Sequence, residues 1–328
     1  MEPIGPIAVE DIQAARRRIA DSAIRSPLIR LNVDDAPAEI WLKLENLQPI
    51  GSFKLRGAGN AMALAEPDSL GRGVYTASAG NMAQGVAWTA RRLGIPCSVI
   101  VPESAPRTKL AASARLGAKI VEVPFDTWWQ VLEARRYPGM EGLFIHPVSE
   151  PQVIAGNATI GLETLEDLPD VDAVLVPYGG GGLSCGIATA IHATRPEVPV
   201  WACEPATAAP LAASLEAGKP VDIDYRPSFV DGCGGKRLLP EMWPMAREQL
   251  SGSLVCGLDE IARAVRLLFL RNRVVAEGAG ALAVAAALSG KAGNGKVVCV
   301  VSGGNIDASM LSEILIDARL CRTSKTSI

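Results

Sequence analysis

Histidine is nearly missing from this chain, with two residues in 328. Seven cysteines are scattered widely, and no Cys-x-x-Cys pair occurs. Together these absences exclude a zinc-type ligand cluster. Cys97, Cys203 and Cys299 fall in apolar strand-like runs, where thiols act as small hydrophobes. A reducing, cytoplasmic compartment is therefore expected. No apolar run reaches membrane-spanning length without Gly, Pro or charge. Residues 1–11 are acidic and Pro-containing and lack the apolar core of a secretory segment. A net charge of −3 offers nothing to nucleic acid or an anionic membrane face. The short run Arg16-Arg17-Arg18 lies in an amphipathic helix and reads as a solvated face. Low-complexity segments, long linkers and clear repeats are also missing.

With 48% apolar and 20% charged residues, the length suffices for two ordinary domains and a large core. Nearly continuous apolar runs predict strands at 97–102, 118–123, 173–177, 198–203 and 296–301, as parallel strands buried on both faces require. Helical patterns lie between them near 83–93, 106–116, 126–136, 183–194, 207–217, 258–270 and 279–289. The alternation predicts an open α/β architecture with right-handed crossovers. One alternating block runs from about 62 to 149 and another from about 150 onward. The turn-rich stretch 218–244 is the least regular and is expected to lie over a site.

Lys54 follows Ser52 and Phe53 in a turn opened by Pro49 and Gly51, just after the short strand at 40–44. A flexible amine at a strand-to-helix corner, with a ring beside it, suits Schiff-base chemistry. Taken alone, the same triplet also fits an idle loop lysine. Pro177-Tyr178-Gly179-Gly180-Gly181-Gly182-Leu183 follows a buried strand and opens a helix. Four glycines let successive backbone N–H groups close around a phosphate at the helix N-terminus. A tight turn alone needs fewer. No Lys-Ser/Thr follows, so this is not the nucleotide-binding P-loop.

Ser78-Ala79-Gly80-Asn81-Met82 lies at another strand-to-helix corner and suits either a carboxylate or an ordinary helix cap. Ser302-Gly303-Gly304-Asn305 directly follows the last apolar strand, where α/β sheets bind ligands. Glu277-Gly278-Ala279-Gly280 reads as a first-turn acid on a small-residue helix.

In this order the motifs resemble pyridoxal-phosphate enzymes of the tryptophan-synthase β-subunit fold, and within that group the serine/threonine dehydratases and serine racemase. The likeness spans roughly residues 10 to 316. It implies two open, twisted, mostly parallel sheets flanked by helices, with the cofactor in the cleft between domains. A large cofactor-binding domain would comprise 1–61 and 150–328, and a small mobile one 62–149. By the same resemblance, Lys54 would form the Schiff base and act as the base at the substrate Cα. Phe53 would lie beside the pyridine ring, and Asn81 would bond its phenolic oxygen. Gly179, Gly180, Gly181, Gly182 and Leu183 would hold the phosphate, and Ser302 would face the ring nitrogen. Ser78, Ala79, Gly80, Asn81 and Met82 would receive the substrate carboxylate.

The implied activity is α,β-elimination from a β-hydroxy-α-amino acid, L-threonine or L-serine, to a 2-oxo acid and ammonia. A homodimer is implied as well. The chain departs from the family in four places. Met82 replaces the usual His, which would make the substrate wall more apolar. Ala79 stands where serine racemase carries the serine that protonates the opposite face, which argues against racemisation. Gly156-Asn157-Ala158-Thr159 replaces Gly-Gln-Gly-Thr. Glu204 and the Ala208 carbonyl are the remnant of a divalent-cation site, with Pro210 in place of a second acid; a solvated strand-end carboxylate is the alternative for Glu204. Other β-hydroxy substrates (3-hydroxyaspartate, phenylserine, a hydroxylated osmolyte derivative) and β-replacement of the cysteine-synthase type remain open. The end of the sequence some twenty residues past Asn305 leads to an expectation of no regulatory domain. His146, His192 and Trp128-Trp129 receive no role, although the tryptophans could shape a pocket for a bulky β-substituent.

Overall fold

The computed structural model describes residues 3–105 and 107–316. Ten strands are formed among the described residues: β1 (Leu28–Arg30), β2 (Glu39–Leu44), β3 (Val74–Ala77), β4 (Cys97–Pro102), β5 (Lys119–Val123), β6 (Leu143–Phe144), β7 (Ala173–Pro177), β8 (Val200–Pro205), β9 (Ser253–Cys256) and β10 (Lys296–Val301). They make a six-stranded sheet in the order β1-β2-β10-β7-β8-β9 and a four-stranded sheet in the order β5-β4-β3-β6. All pairings are parallel except β1 with β2.

The expected strands are present. The run at 198–203 shifts to 200–205, and the short β1, β6 and β9 were not foreseen. Every residue of β7 is buried, as is every residue of β10 after Lys296. That burial explains their unbroken apolar sequences, because helices cover both faces. The helix Gly278–Leu288 is apolar all round and packs under β7 and β10 with nearly every side chain buried. The helix expected over 207–217 begins at Pro210, a residue suited to a first helical turn because it has no N–H to leave unpaired. The one expected over 258–270 is regular only to Leu267 and then widens into a π-type turn, Leu268–Asn272.

Strand order sets the position of the site. In parallel sheets the crevice lies at the carboxyl ends of the strands. There β2, β10 and β7 are neighbours. The turn carrying Lys54, the segment Ser302–Asn305 and the glycine loop therefore emerge side by side. Backbone bonds stitch the first two together: Phe53 N–H donates to Ser302 O at 3.0 Å, and Gly304 N–H to Gly51 O at 2.9 Å. The loop at 78–80 leaves the carboxyl end of β3 and faces them from the other sheet. Among the described residues no helix is long and apolar enough to cross a membrane.

Candidate active site

A cleft of about 1120 Å³ lies between the two sheets. Lys54, Asn81, the glycine loop and Ser302 all border it. Lys54 opens the helix Lys54–Ala63, and its Nζ donates to Pro147 O at 2.6 Å. Burial pushes its pKa down to about 8, against a small opposing effect from Cys233. The ammonium lies 5.2 Å from the centre of the Phe53 ring. Phe53, the residue expected beside the cofactor ring, borders the same cleft.

The glycine loop joins β7 to the helix Ser184–His192. Among the described residues, none of the backbone N–H groups of Gly179–Leu183 donates to a protein acceptor. A row of free donors at a helix N-terminus fits a phosphate group. Two of the glycines have a second cause. A Cβ on Gly180 would sit 2.6 Å from the Val148 side chain, and one on Gly182 would sit 2.7 Å from the Val148 carbonyl. The loop is thus packed against the segment that receives Lys54.

That segment is held by His146, a residue without a role in the sequence. Its Nδ1 accepts N–H bonds from Val148 at 3.1 Å and Ser149 at 2.9 Å. Burial, with the nearby Arg135 and Lys54 charges, lowers its pKa to about 3, so the ring is a neutral acceptor. The Ser149 hydroxyl donates in turn to Glu241 at 2.7 Å. Arg135 donates to the Ser149 carbonyl at 2.6 Å. No local pattern in the sequence announces this turn; the only sequence signal is one of the two histidines beside Pro147, and its burial comes from the fold.

Asn81 bridges the cleft. Its Nδ2 donates to Glu277 at 2.7 Å, and its Oδ1 accepts from Asn305 at 2.7 Å. Nδ2 keeps a second proton for a ligand. Glu277 is more than a first-turn acid. Its carboxyl is buried, and desolvation lifts its pKa to about 7 although the Asn81 bond opposes this. Lys109 and Asp231 form a second polar tie from one wall to the other.

The remaining expectations are placed as follows. Ser78, Ala79 and Gly80 border the cleft. Met82 borders it too, but is 1% exposed and packs with Val86 and Ile145 in the core. Its apolar character is explained by that packing more than by a substrate wall. Glu204 is fully buried and not a solvated strand end. Its two oxygens accept from the N–H groups of Leu211 and Ala212, each at 2.8 Å, and from the Ser253 hydroxyl at 2.6 Å, which caps the helix Pro210–Ala217. Ala208 is likewise 1% exposed. Among the described residues no group of three or more His, Cys, Asp or Glu side chains is placed to hold a metal ion. The Glu204 carboxylate is thus committed to capping that helix, which replaces the cation-site reading of Glu204 and Ala208. Asn157, in the departing Gly-Asn-Ala-Thr stretch, donates to Gly182 O at 3.4 Å and so supports the glycine loop.

A family model described as pyridoxal-phosphate dependent enzyme matches residues 19–303. The chain belongs to this pyridoxal-phosphate dependent enzyme family. It is 40% identical over 316 residues to the catabolic L-threonine dehydratase of Escherichia coli K12, covering 94% of this chain and 96% of that one. An L-threonine ammonia-lyase of Thermotoga maritima is 39% identical, over 94% of this chain and 78% of its own length. The solved structure of maize serine racemase superposes with a TM-score of 0.88 at 30% identity, covering 97% of this chain and 100% of that chain. Within this pyridoxal-phosphate family, the free amides of Gly179–Leu183 fit the cofactor phosphate and the Lys54 amine fits its aldehyde.

Proposed function

We propose that this pyridoxal-phosphate enzyme removes water from L-threonine and L-serine and releases a 2-oxo acid and ammonia. One observation carries the reading. An amine with a pKa of about 8, Lys54 Nζ, lies in the same cleft as the free N–H row of Gly179–Leu183. The curated relatives named above act on threonine by their names, which supports the choice of substrate.

When bound, the cofactor supplies an electron sink that acidifies the Cα proton of the amino acid. Lys54 Nζ, neutral above pH 8, accepts that proton. The backbone of Ser78–Met82 at a helix N-terminus receives the substrate carboxylate. Ser302, just past β10 and bordering the cleft, would offer the ring nitrogen a neutral hydroxyl in place of a carboxylate that would keep it protonated. A weaker sink favours loss of the β-hydroxyl over slower reactions such as transamination. Ala79 lacks a hydroxyl, so the face opposite Lys54 has no proton donor at that position, and this supports elimination over racemisation.

Residues 62–149, which carry the four-stranded sheet, are part of the proposal as a mobile unit that closes on the substrate. Substrate-dependent hydrogen-exchange protection within 62–149, at the loop 78–80 and the helix Phe125–Ala134 that border the cleft, tests it, and unchanged exchange there would count against closure. The dimer implied by the family resemblance is tested by light scattering.

The decisive experiment uses the purified holoenzyme. We expect a visible cofactor band and 2-oxobutanoate from L-threonine. A Lys54→Ala protein is expected to lose both, and if it kept both the assignment would fall.

A further inference from the structure

The cleft exceeds what threonine needs. Its volume of about 1120 Å³ lies above the range of about 300–1,000 Å³ common for ligand sites, which leaves space beyond cofactor and a small amino acid. One wall of that space is aromatic. Phe125, Trp128 and Trp129 occupy positions i, i+3 and i+4 of the helix Phe125–Ala134 and so share a face. Phe125 and Trp128 have ring centres 5.6 Å apart, and Trp128 and Trp129 6.2 Å apart, both pairs tilted. Phe125 is 58% exposed although it borders the cleft, an open position for so large an apolar side chain. Tyr225 borders the cleft from the irregular loop of the other block. The Trp128 indole N–H is shielded from water and has no acceptor.

Charge separates the candidate substituents. The cationic side chains Lys109, Lys236 and Arg237 also border the cleft, yet each already has a carboxylate partner. Lys109 pairs with Asp231, Arg237 with Asp222 at 2.9 Å, and Lys236 with Asp222 at 3.7 Å. An acidic β-substituent, as in 3-hydroxyaspartate, would have to displace one of these pairs. An aryl β-substituent would find ring partners in Phe125, Trp128 and Trp129, with which aromatic contacts are favourable.

We infer that the substrate class includes β-hydroxy-α-amino acids with an aryl β-substituent, with Phe125, Trp128 and Trp129 as specificity-determining residues. The inference rests on the elimination reading above. For 3-phenylserine the Cα–H and Cβ–OH bonds break and water leaves. The resulting enamine takes up water and releases ammonia, giving phenylpyruvate with no oxidant or reductant. The new Cα–Cβ double bond is conjugated with the ring, which assists elimination.

The test is kcat/KM of the holoenzyme for L-threo-3-phenylserine and for L-threonine, read by 2-oxo acid formation. We expect the phenylserine value to equal or exceed that for threonine. Phe125→Ala and Trp129→Ala should each lower it at least about tenfold more than they lower the threonine value, the scale of a lost apolar contact in a specificity pocket. Trp128 packs on the core cluster that holds Val131, so Trp128→Phe, which keeps an aromatic ring but removes the indole N–H, is the variant there. Turnover of threonine with phenylserine tenfold or more below it overturns the aryl inference and leaves the elimination reading standing. Equal losses on both substrates in the two alanine variants also overturn it. Turnover of neither substrate overturns both.

Discussion

Arg56 holds Glu45 through two parallel bonds, Nε and Nη2 each 2.8 Å from a carboxylate oxygen. A second pair runs from the same guanidinium to Glu163 at 2.7 and 2.9 Å. All three side chains are buried, and Arg56 lies two residues beyond Lys54 on its helix. Burial alone would raise the Glu45 pKa, but the Arg56 charge and bonds, with Ser26 and Lys43, hold it below its usual value. Lys43 adds a contact to Glu163 at 2.7 Å. The cluster fixes the helix that presents Lys54. Removing Arg56 strands the Glu45 charge in the core. We expect Arg56→Met to cost about 3–5 kcal/mol in urea unfolding. A loss below about 1 kcal/mol would mean that the cluster does not anchor the helix.

Glu277 gives a pH signature of one sign. Its folded pKa is raised from 4.5 to about 7, so the folded state binds the proton more tightly than the unfolded chain. Its contribution to stability is complete below pH 4.5 and is lost as pH rises through about 7. Glu277→Gln keeps an oxygen for Asn81 Nδ2 but cannot titrate. The difference in unfolding free energy between wild type and Glu277→Gln should therefore change across pH 4.5 to 7 and be flat above it. A flat difference throughout that window contradicts the raised pKa.

Lys54, Gly179–Leu183 and Ser302 stand in contiguous motifs at strand ends, which made it legible from the sequence that they would meet at one cleft. Parallel strands such as β7 and β10 were readable because double-sided burial leaves unbroken apolar runs. Strands β1 and β6, three and two residues long, are too short to show a period. The contacts that complete the site join distant parts of the chain. Lys54 meets Pro147 across 93 residues, and Asn81 meets Glu277 across 196. Such pairs follow from topology and leave no local pattern. Glu204 illustrates the same limit: a carboxylate at a strand end reads as solvated until the following helix turns its N–H groups onto it.

His146 gives the opposite pH signature. Its folded pKa is lowered from 6.5 to about 3, so its contribution to stability is present above pH 6.5 and lost as pH falls toward 3. His146→Ala leaves the Val148 and Ser149 N–H groups without their acceptor, at about 1–3 kcal/mol for each group left unsatisfied. We expect a destabilised variant whose remaining stability is less sensitive to acid between pH 6.5 and 3 than that of the wild type. Thermal unfolding across that range checks it, and identical acid sensitivity in both proteins would contradict a neutral, buried imidazole.

Lys54 itself sets the last expectation. An exposed lysine titrates near 10.4, so at neutral pH only a small fraction is nucleophilic. Burial brings Lys54 to about 8, which raises that fraction. Capture of added pyridoxal phosphate by the cofactor-free protein should therefore speed up with pH and level off just above 8, read from the growth of the visible band. The same shift makes the cofactor-free protein gain stability as pH rises from about 8 to 10.5, since the unfolded chain holds the proton over that window. Lys54→Ala should remove both effects. An inflection in the capture rate near pH 10 would show that the amine is solvated, and Pro147 would then not be its partner in solution.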